Sequence, residues 1–588
     1  MQFSKLSSFV TVALLVTVFF AGIVTISASA QAAPQFSPLS PAFIKYQQDL
    51  AASNLSKGVS GQAVSGIIPS PVDLSQLKGQ TLTSTLVGYS PTYDLRKQNK
   101  LTSVKDQLSC GACWAFGAYA SLESYLRPAE ILNFSENNMK NTHGFDPAPC
   151  AGGNQFFSTA YLARWSGPVN EVDDPYNPSS GTSPANLPIQ KHVQDVYFIP
   201  DRAGSSDNNN IKMAVSAYGA VYTQMYMNAV SPYYNAATYA YYYGSTDMNH
   251  GVAIVGWDDN YLASNFATNP GGPGAFIVKN SWGTGWGEQG YFYVSYYDAN
   301  IGKDNAVFTA QPTTNYDNIY QYDQLGYTSS FGGGSTSECG ANVFTANSSE
   351  DLSAVSFYTH SLNAPYEVYV YTDPTSGPIN PLGYVAHVTG TLEFPGYHTI
   401  PLTSSVSLRP GEKFSVVVKF TAADIYPVPV EAPISGYSSQ ARANTGESYY
   451  HAYDGSLPPS STWTDMTSYS PNVNICIKAF TSNGSGPQTT TLSLTTSNPN
   501  PGSGVSYTIS GNLYDSANAG VGGKSVTFYW QYAGDTTWRT GPTVQTATTT
   551  GYFSGSDADT KTIYYKAVFA GDSSYATSTS NVVTVTIQ

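Results

Sequence analysis

The stretch "DQLSCGACWAF", residues 106–116, sets Cys110 and Cys113 close together and follows the second with Trp114. From Cys113 onward, "CWAFGAYASLESYL" has the apolar spacing of a helix. Cys113 therefore stands at or near a helix N-terminus, where unpaired N–H groups and the macrodipole favour a thiolate over a thiol. Three roles compete for it: a small buried hydrophobe, half of a Cys-x-x-Cys redox or zinc pair, and the nucleophile of an enzyme. No second ligand pair with metal spacing accompanies it, which speaks against zinc. Cys110 lies too near Cys113 along the chain to pair with it comfortably and needs another partner.

The 588 residues are too many for one core, so three or four domains are expected. Charged residues make up only 11%, whereas Tyr (46) and Gly (52) are abundant, a composition that favours strands and turns. The net charge of −14, with no basic stretch to neutralise phosphates, excludes nucleic acid as a partner. The chain opens "MQFSK", continues with the apolar run "FVTVALLVTVFFAGIVTI" and then "SASAQAA". This order reads as a secretory signal over residues 1–32, cleaved after Ala30 or Ala32. The run is also near bilayer-spanning length, so an uncleaved anchor is the alternative. Either way the remainder is expected outside the cytoplasm, secreted or associated with the cell surface. Cysteines pair by default there, and five is odd.

Residues 33–88 are polar and punctuated, with one short helical candidate around Ala42–Ala52; they read as a linker or a propeptide. Residues 89–312 run from helical signals to strands such as "HGVAIVGW", "GAFIVKNSW" and "GYFYVSYY", an α+β order. Residues 313–482 hold short alternating runs separated by turns, as in a β-sandwich. Cys339 and Cys476 lie near its two ends, and an exported chain predicts a bridge between them; two buried free thiols are the alternative. After the linker around 481–491, residues 488–588 read as a second, Ig-like sandwich, and "FAGDSSYATSTS" resembles bacterial-type Ig-like repeats.

Cys110-Gly111-Ala112-Cys113-Trp114 fits the C-G-[SA]-C-[WY] signature, so residues 89–312 resemble a papain-family cysteine protease. Further segments agree: "PTYDLRKQNKLTSVKDQ" (91–107), "CAGG" (150–153), "NHGVAIVGW" (249–257) and "NSWGTGWGEQGYFYV" (280–294). The resemblance implies Cys113 as nucleophile, His250 as its acid–base partner and Asn280 as the residue that orients the imidazole. Gln107 and the Cys113 backbone N–H would hold the oxyanion. Trp282 would cover the His–Asn hydrogen bond, and the backbone of Gly152 and Gly153 would bind extended substrate. Cys110 would pair with Cys150, leaving Cys113 unbridged. Residues 33–88 would then be an inhibitory propeptide. His143 and His192 lack any motif and are expected to be structural or at the surface. Asn249, Ala151 and Leu108 depart from the family's usual Asp, Asn and Gly, and residues 258–274 look like an insertion between His250 and Asn280. The "SPYYNAATYAYYYGS" cluster (231–245) reads as packing, or as one wall of the cleft.

Residues 313–482 resemble the lectin-like domain that follows archaeal and bacterial papain-like proteases, on "GYTSSFGGG", "ANVFTANSSEDLSAVSFYT" and "SYYHAYDGSLPPSSTWTDM". Tyr449, Tyr453 and Trp463 are candidates for stacking on sugar rings, against the plainer role of core packing. The expectation is a monomeric secreted cysteine endopeptidase that needs no metal or other cofactor. Its partners would be protein or peptide substrates and, through residues 313–482, surface carbohydrate. The alternative is an adhesin with an inert protease-like domain, and the presence of Cys, His and Asn together speaks against it.

Overall fold

The computed structural model describes residues 33–52, 66–83, 88–229, 232–455, 462–484, 487–572 and 574–588. The signal or anchor expected over 1–32 lies outside them. The helices are α1 (Pro41–Ala51), α2 (Cys113–Leu126), α3 (Glu136–Thr142), α4 (Gln155–Ala163) and α5 (Asn209–Tyr218). Helix α2 is buried on nearly every face, as a sequence apolar all round requires. It packs against the strands Val221–Met225, His250–Asp258 and Lys303–Gln311. Asn154 starts α4 by accepting the amides of Phe156 and Phe157, and Ser135 starts α3 by accepting that of Asn138. The helical half thus stands beside a strand half, as the α+β reading expected.

The central strand of that half is "HGVAIVGWD", His250–Asp258, buried along almost its whole length. It runs antiparallel between Val221–Met225 and Ala275–Lys279. The sheet does not stop at the protease boundary. Strand Gly396–Leu408 pairs with His192–Ile199, placing Tyr397 opposite Val196, so one thirteen-stranded sheet runs into the second region. That region closes as a β-sandwich with a six-stranded and a four-stranded sheet. Residues 488–588 form a separate two-sheet sandwich around Leu513, Val526, Phe528 and Ile563.

The N-terminal segment is built into both neighbours. Gln35–Phe36 adds an antiparallel strand to Ser329–Gly332 of the second region. Ser40 caps α1 with Pro41 in its first turn, and Phe43, wholly buried, meets Tyr437 edge-on at 5.4 Å. Burying such a ring contributes on the order of 2–3 kcal/mol.

The expected Cys339–Cys476 bridge is absent: both are buried free thiols. Strand alternation explains why. Asn342, and with it Gly340, faces inward toward Ile475 and Ile477, so Cys339 and Ala341 project from the opposite face of their sheet. Cys476, between the inward Ile475 and Ile477, projects outward from another sheet into the core shared with the protease. Side chains directed apart in this way cannot be bridged. Cys110 and Cys150 do form a disulfide.

Candidate active site

Helix α2 begins at Cys113, with Ala112 as its N-cap. The histidine strand begins at His250, and Asn280 follows the end of the neighbouring strand Ala275–Lys279. Packing the strand against the helix N-terminus brings residues remote in sequence together: the Gly251 N–H donates to Cys113 Sγ at 3.2 Å. His250 Nε2 lies 2.8 Å from Asn280 Oδ1. An amide oxygen only accepts, so Nε2 carries the proton and Nδ1 of the neutral ring bears the lone pair. Asn280 Oδ1 also accepts the Ser281 N–H at 2.9 Å, which fixes the amide.

The Trp282 ring lies 5.0 Å from the imidazole. It is backed by Trp286, 5.0 Å away and edge-on, and Tyr234 stacks on Trp286 at 5.1 Å. This part of the tyrosine-rich stretch therefore packs behind the tryptophans that stand beside the His250 ring. Gln107 is buried; its Oε1 accepts from Ser281 Oγ at 2.6 Å and its Nε2 donates to Cys110 O at 2.9 Å. The segment leading into Gln107 is anchored by Lys105, whose ammonium meets Glu123 at 3.0 Å and Glu136 at 2.7 Å. Lys279, next to Asn280, reaches Thr102 in the same layer, and burial lowers its pKa to about 8. Sequence reading missed this buried charge layer; its one visible signal was Glu123 inside an otherwise apolar helix.

The cleft is occupied by the chain itself. Gly66 N–H donates to Asn249 O at 3.0 Å, Gly153 N–H to Gly66 O at 3.1 Å, and Ile68 N–H to Gly153 O at 3.0 Å. Ile67 and Gly153 pair as a parallel bridge. A Cβ on Gly66 would stand 2.3 Å from Cys113 Sγ, so only glycine lets the strand pass over the sulfur. Gly153 is equally confined: a Cβ there would meet the Trp114 ring at 2.6 Å. Under this cover, burial pushes the Cys113 thiol up to about 12 and lowers His250 to about 4. The pair is held neutral, and burial outweighs the helix terminus that favoured a thiolate. His143 is buried against Phe157 and Trp114, and His192 stacks on Trp165 at 3.6 Å; both are structural.

These features define a papain-like cysteine protease domain joined to a β-sandwich. Residues 89–310 match the papain family cysteine protease model and residues 319–481 the lectin-like domain model; the chain carries both domains. Cysteine proteinase EP-B 1 of Hordeum vulgare is 30% identical over 216 residues, 35% of this chain and 53% of that protein. Cysteine proteinase 15A of Pisum sativum is 31% identical over 232 residues, 37% of this chain and 61% of that protein. The chain thus spans less than two thirds of either relative. Among solved structures, the cysteine protease and lectin-like domains of Cwp84, a surface-layer-associated protein of Clostridium difficile, match with a TM-score of 0.65 at 29% identity, covering 77% of this chain and 99% of that one. Clostridial Cwp84 after propeptide cleavage matches with a TM-score of 0.59 at 29% identity, covering 67% and 100%.

Proposed function

We propose that this chain is an exported cysteine endopeptidase made as a self-inhibited precursor. The observation that carries this reading is the meeting of Cys113, His250 and Asn280 at one helix N-terminus, linked by the Gly251–Sγ and Nε2–Oδ1 contacts. Cys113 sulfur, giving its proton to His250 Nδ1, attacks the peptide carbonyl. The oxyanion is received by the Cys113 backbone N–H and, once its amide turns from Cys110, by Gln107 Nε2. The C–N bond breaks as His250 returns the proton to the leaving amine, and a thioester on Cys113 remains. Water, deprotonated by His250, then hydrolyses it. Asn280 keeps the ring oriented, and Trp282 keeps water off that hydrogen bond.

Residues 33–88 act as the propeptide in this reading, supported by Gly66–Ile68 lying across Cys113 on Gly153. Substrate takes the same Gly152–Gly153 edge after the segment departs. Export is supported by the Cys110–Cys150 disulfide and by likeness to a surface-layer-associated protein. The 313–482 domain would hold the enzyme to surface carbohydrate. The test is hydrolysis of a peptide library by the processed chain and by Cys113→Ala. The reading requires cleavage by the first alone; a folded, processed wild type that cleaves nothing overturns it.

A further inference from the structure

The strand Ser329–Gly332 of the second region has Val428–Glu431 on its inner side and the N-terminal strand Gln35–Phe36 on its outer side, where that sheet ends. Without Gln35–Phe36 it would be the edge. Native edges are blunted by charges, prolines or bulges. The stretch "SSFG" carries no charge and no proline, and it pairs with Val428–Glu431 without a bulge. Ser330 shows what this edge offers. Its carbonyl accepts the Ser37 N–H at 2.8 Å, and its own N–H donates to Ser37 Oγ at 3.3 Å. Pro429, opposite Ser330 on the inner side, has no N–H to give. Both backbone groups of Ser330 are therefore met from the outer side.

The side chains add an aromatic contact to this pairing. Phe331, 1% exposed, has Tyr450 at 5.0 Å and Tyr469 at 5.1 Å, and Phe36 adds a third ring, edge-on at 5.1 Å. Pro34 and Pro38 bracket the occupant and cannot donate to a ladder, so the pairing is confined to Gln35, Phe36 and Ser37. Departure of the N-terminal segment leaves both Ser330 groups to water and uncovers the Phe331 ring. Another extended stretch of the same pattern would restore both.

Resting on the reading of this chain as a protease whose N-terminal segment departs, we propose that the freed Ser329–Gly332 edge is an exosite for protein substrates. It adds, as an antiparallel strand, an extended three-residue stretch with an aromatic residue at its centre. In the precursor one polypeptide touches both places, Gln35–Ser37 at this edge and Gly66–Ile68 over Cys113. A substrate chain lying in the cleft can therefore reach the edge as well. A second copy of the chain is the poorer occupant, because each copy carries a net charge of −14. The edge acts in capture and takes no part in breaking the bond, so it lowers KM for long substrates and leaves kcat alone.

The test uses the full chain after its N-terminal segment has been severed by limited proteolysis and removed by gel filtration. One fluorogenic peptide is used bare, or joined to the tag "APQFSPLS" (residues 33–40), or to that tag with Phe36→Ala. The joint is a flexible Gly/Ser linker as long as the chain between Ser37 and Gly66. The Phe36 tag is expected to lower KM at least fivefold against the Ala tag, with kcat unchanged, because tethering raises the effective concentration of the peptide at the cleft. Free "APQFSPLS" is expected to abolish that advantage and to leave the bare peptide's KM unaltered. Ser330→Pro, which removes the Ser330 N–H, is expected to abolish it too; the tag series decides even where this variant fails to fold. Equal KM for the two tags overturns the exosite and leaves the protease reading standing. So does an advantage that survives the free competitor. Equal KM in a processed chain that dimerises assigns the edge to a second copy and overturns the proposal likewise. A processed chain that cleaves none of the three peptides overturns both readings.

Discussion

Gly66 passes over Cys113 so closely that a Cβ on the glycine would lie 2.3 Å from the sulfur. Neither the helix N-terminus behind Cys113 nor the Gly251 amide on its Sγ can yield that space, because both are built into packed elements. Gly66→Val should therefore drive the covering strand off the sulfur rather than deform the site. In the unprocessed chain we expect Cys113 to be alkylated at least tenfold faster than in the wild type, read by mass spectrometry of the labelled peptide. Equal rates would mean that the strand does not guard the sulfur.

The pH profile of that alkylation carries a second expectation. An acid whose pKa is raised stays protonated to higher pH. The covered thiol, pushed from an ordinary 9.0 to about 12, forfeits about tenfold in thiolate for each unit of that rise. The rate in the precursor should climb without levelling up to pH 10. After the segment is removed, reaction should be fast already near neutrality, where His250 regains its ordinary basicity. A precursor profile that levels below pH 9 would contradict the burial of the thiol.

The supporting residues differ in weight. Asn280→Ala leaves the imidazole of His250 unheld at Nε2, and kcat should fall on the order of 10²-fold. Gln107→Ala removes one oxyanion donor, at a cost of about 10²–10³ in kcat with KM little changed. Steady-state kinetics on the processed chain checks both. A Gln107→Ala enzyme with unaltered kcat would remove that side chain from the oxyanion site.

Thiol titration in denaturant without reductant should count three free cysteines, Cys113, Cys339 and Cys476. A count of one would restore the bridge expected from sequence. Replacing Cys110 and Cys150 by serine opens a cross-link between residues 40 apart and should cost about 2–4 kcal/mol, seen as a lower Tm.

Much of this was legible before the fold. The motif around Cys113 and the strand beginning at His250 specify local structure, and each motif residue's neighbours on the chain are its neighbours in space. Cys339 and Cys476 misled because compartment and position argue for pairing, whereas the period-two alternation of two different strands decides which way each sulfur points. The boundary near residue 312 was drawn along the chain, yet Tyr397 sits opposite Val196 in one continuous sheet. Such a pairing leaves no trace in local patterning. Gly66 was invisible for the opposite reason: glycine in a polar segment reads as a turn, and its closeness to Cys113 exists only once two distant segments dock.

The most direct test treats the processed wild type with an irreversible thiol-directed epoxide and maps the adduct while following peptide hydrolysis. The account predicts one adduct, on Cys113, formed in proportion to the activity lost, and no hydrolysis by Cys113→Ala. Hydrolysis that persists in Cys113→Ala, or a folded processed wild type whose Cys113 remains unmodified while peptides are cleaved, would contradict it.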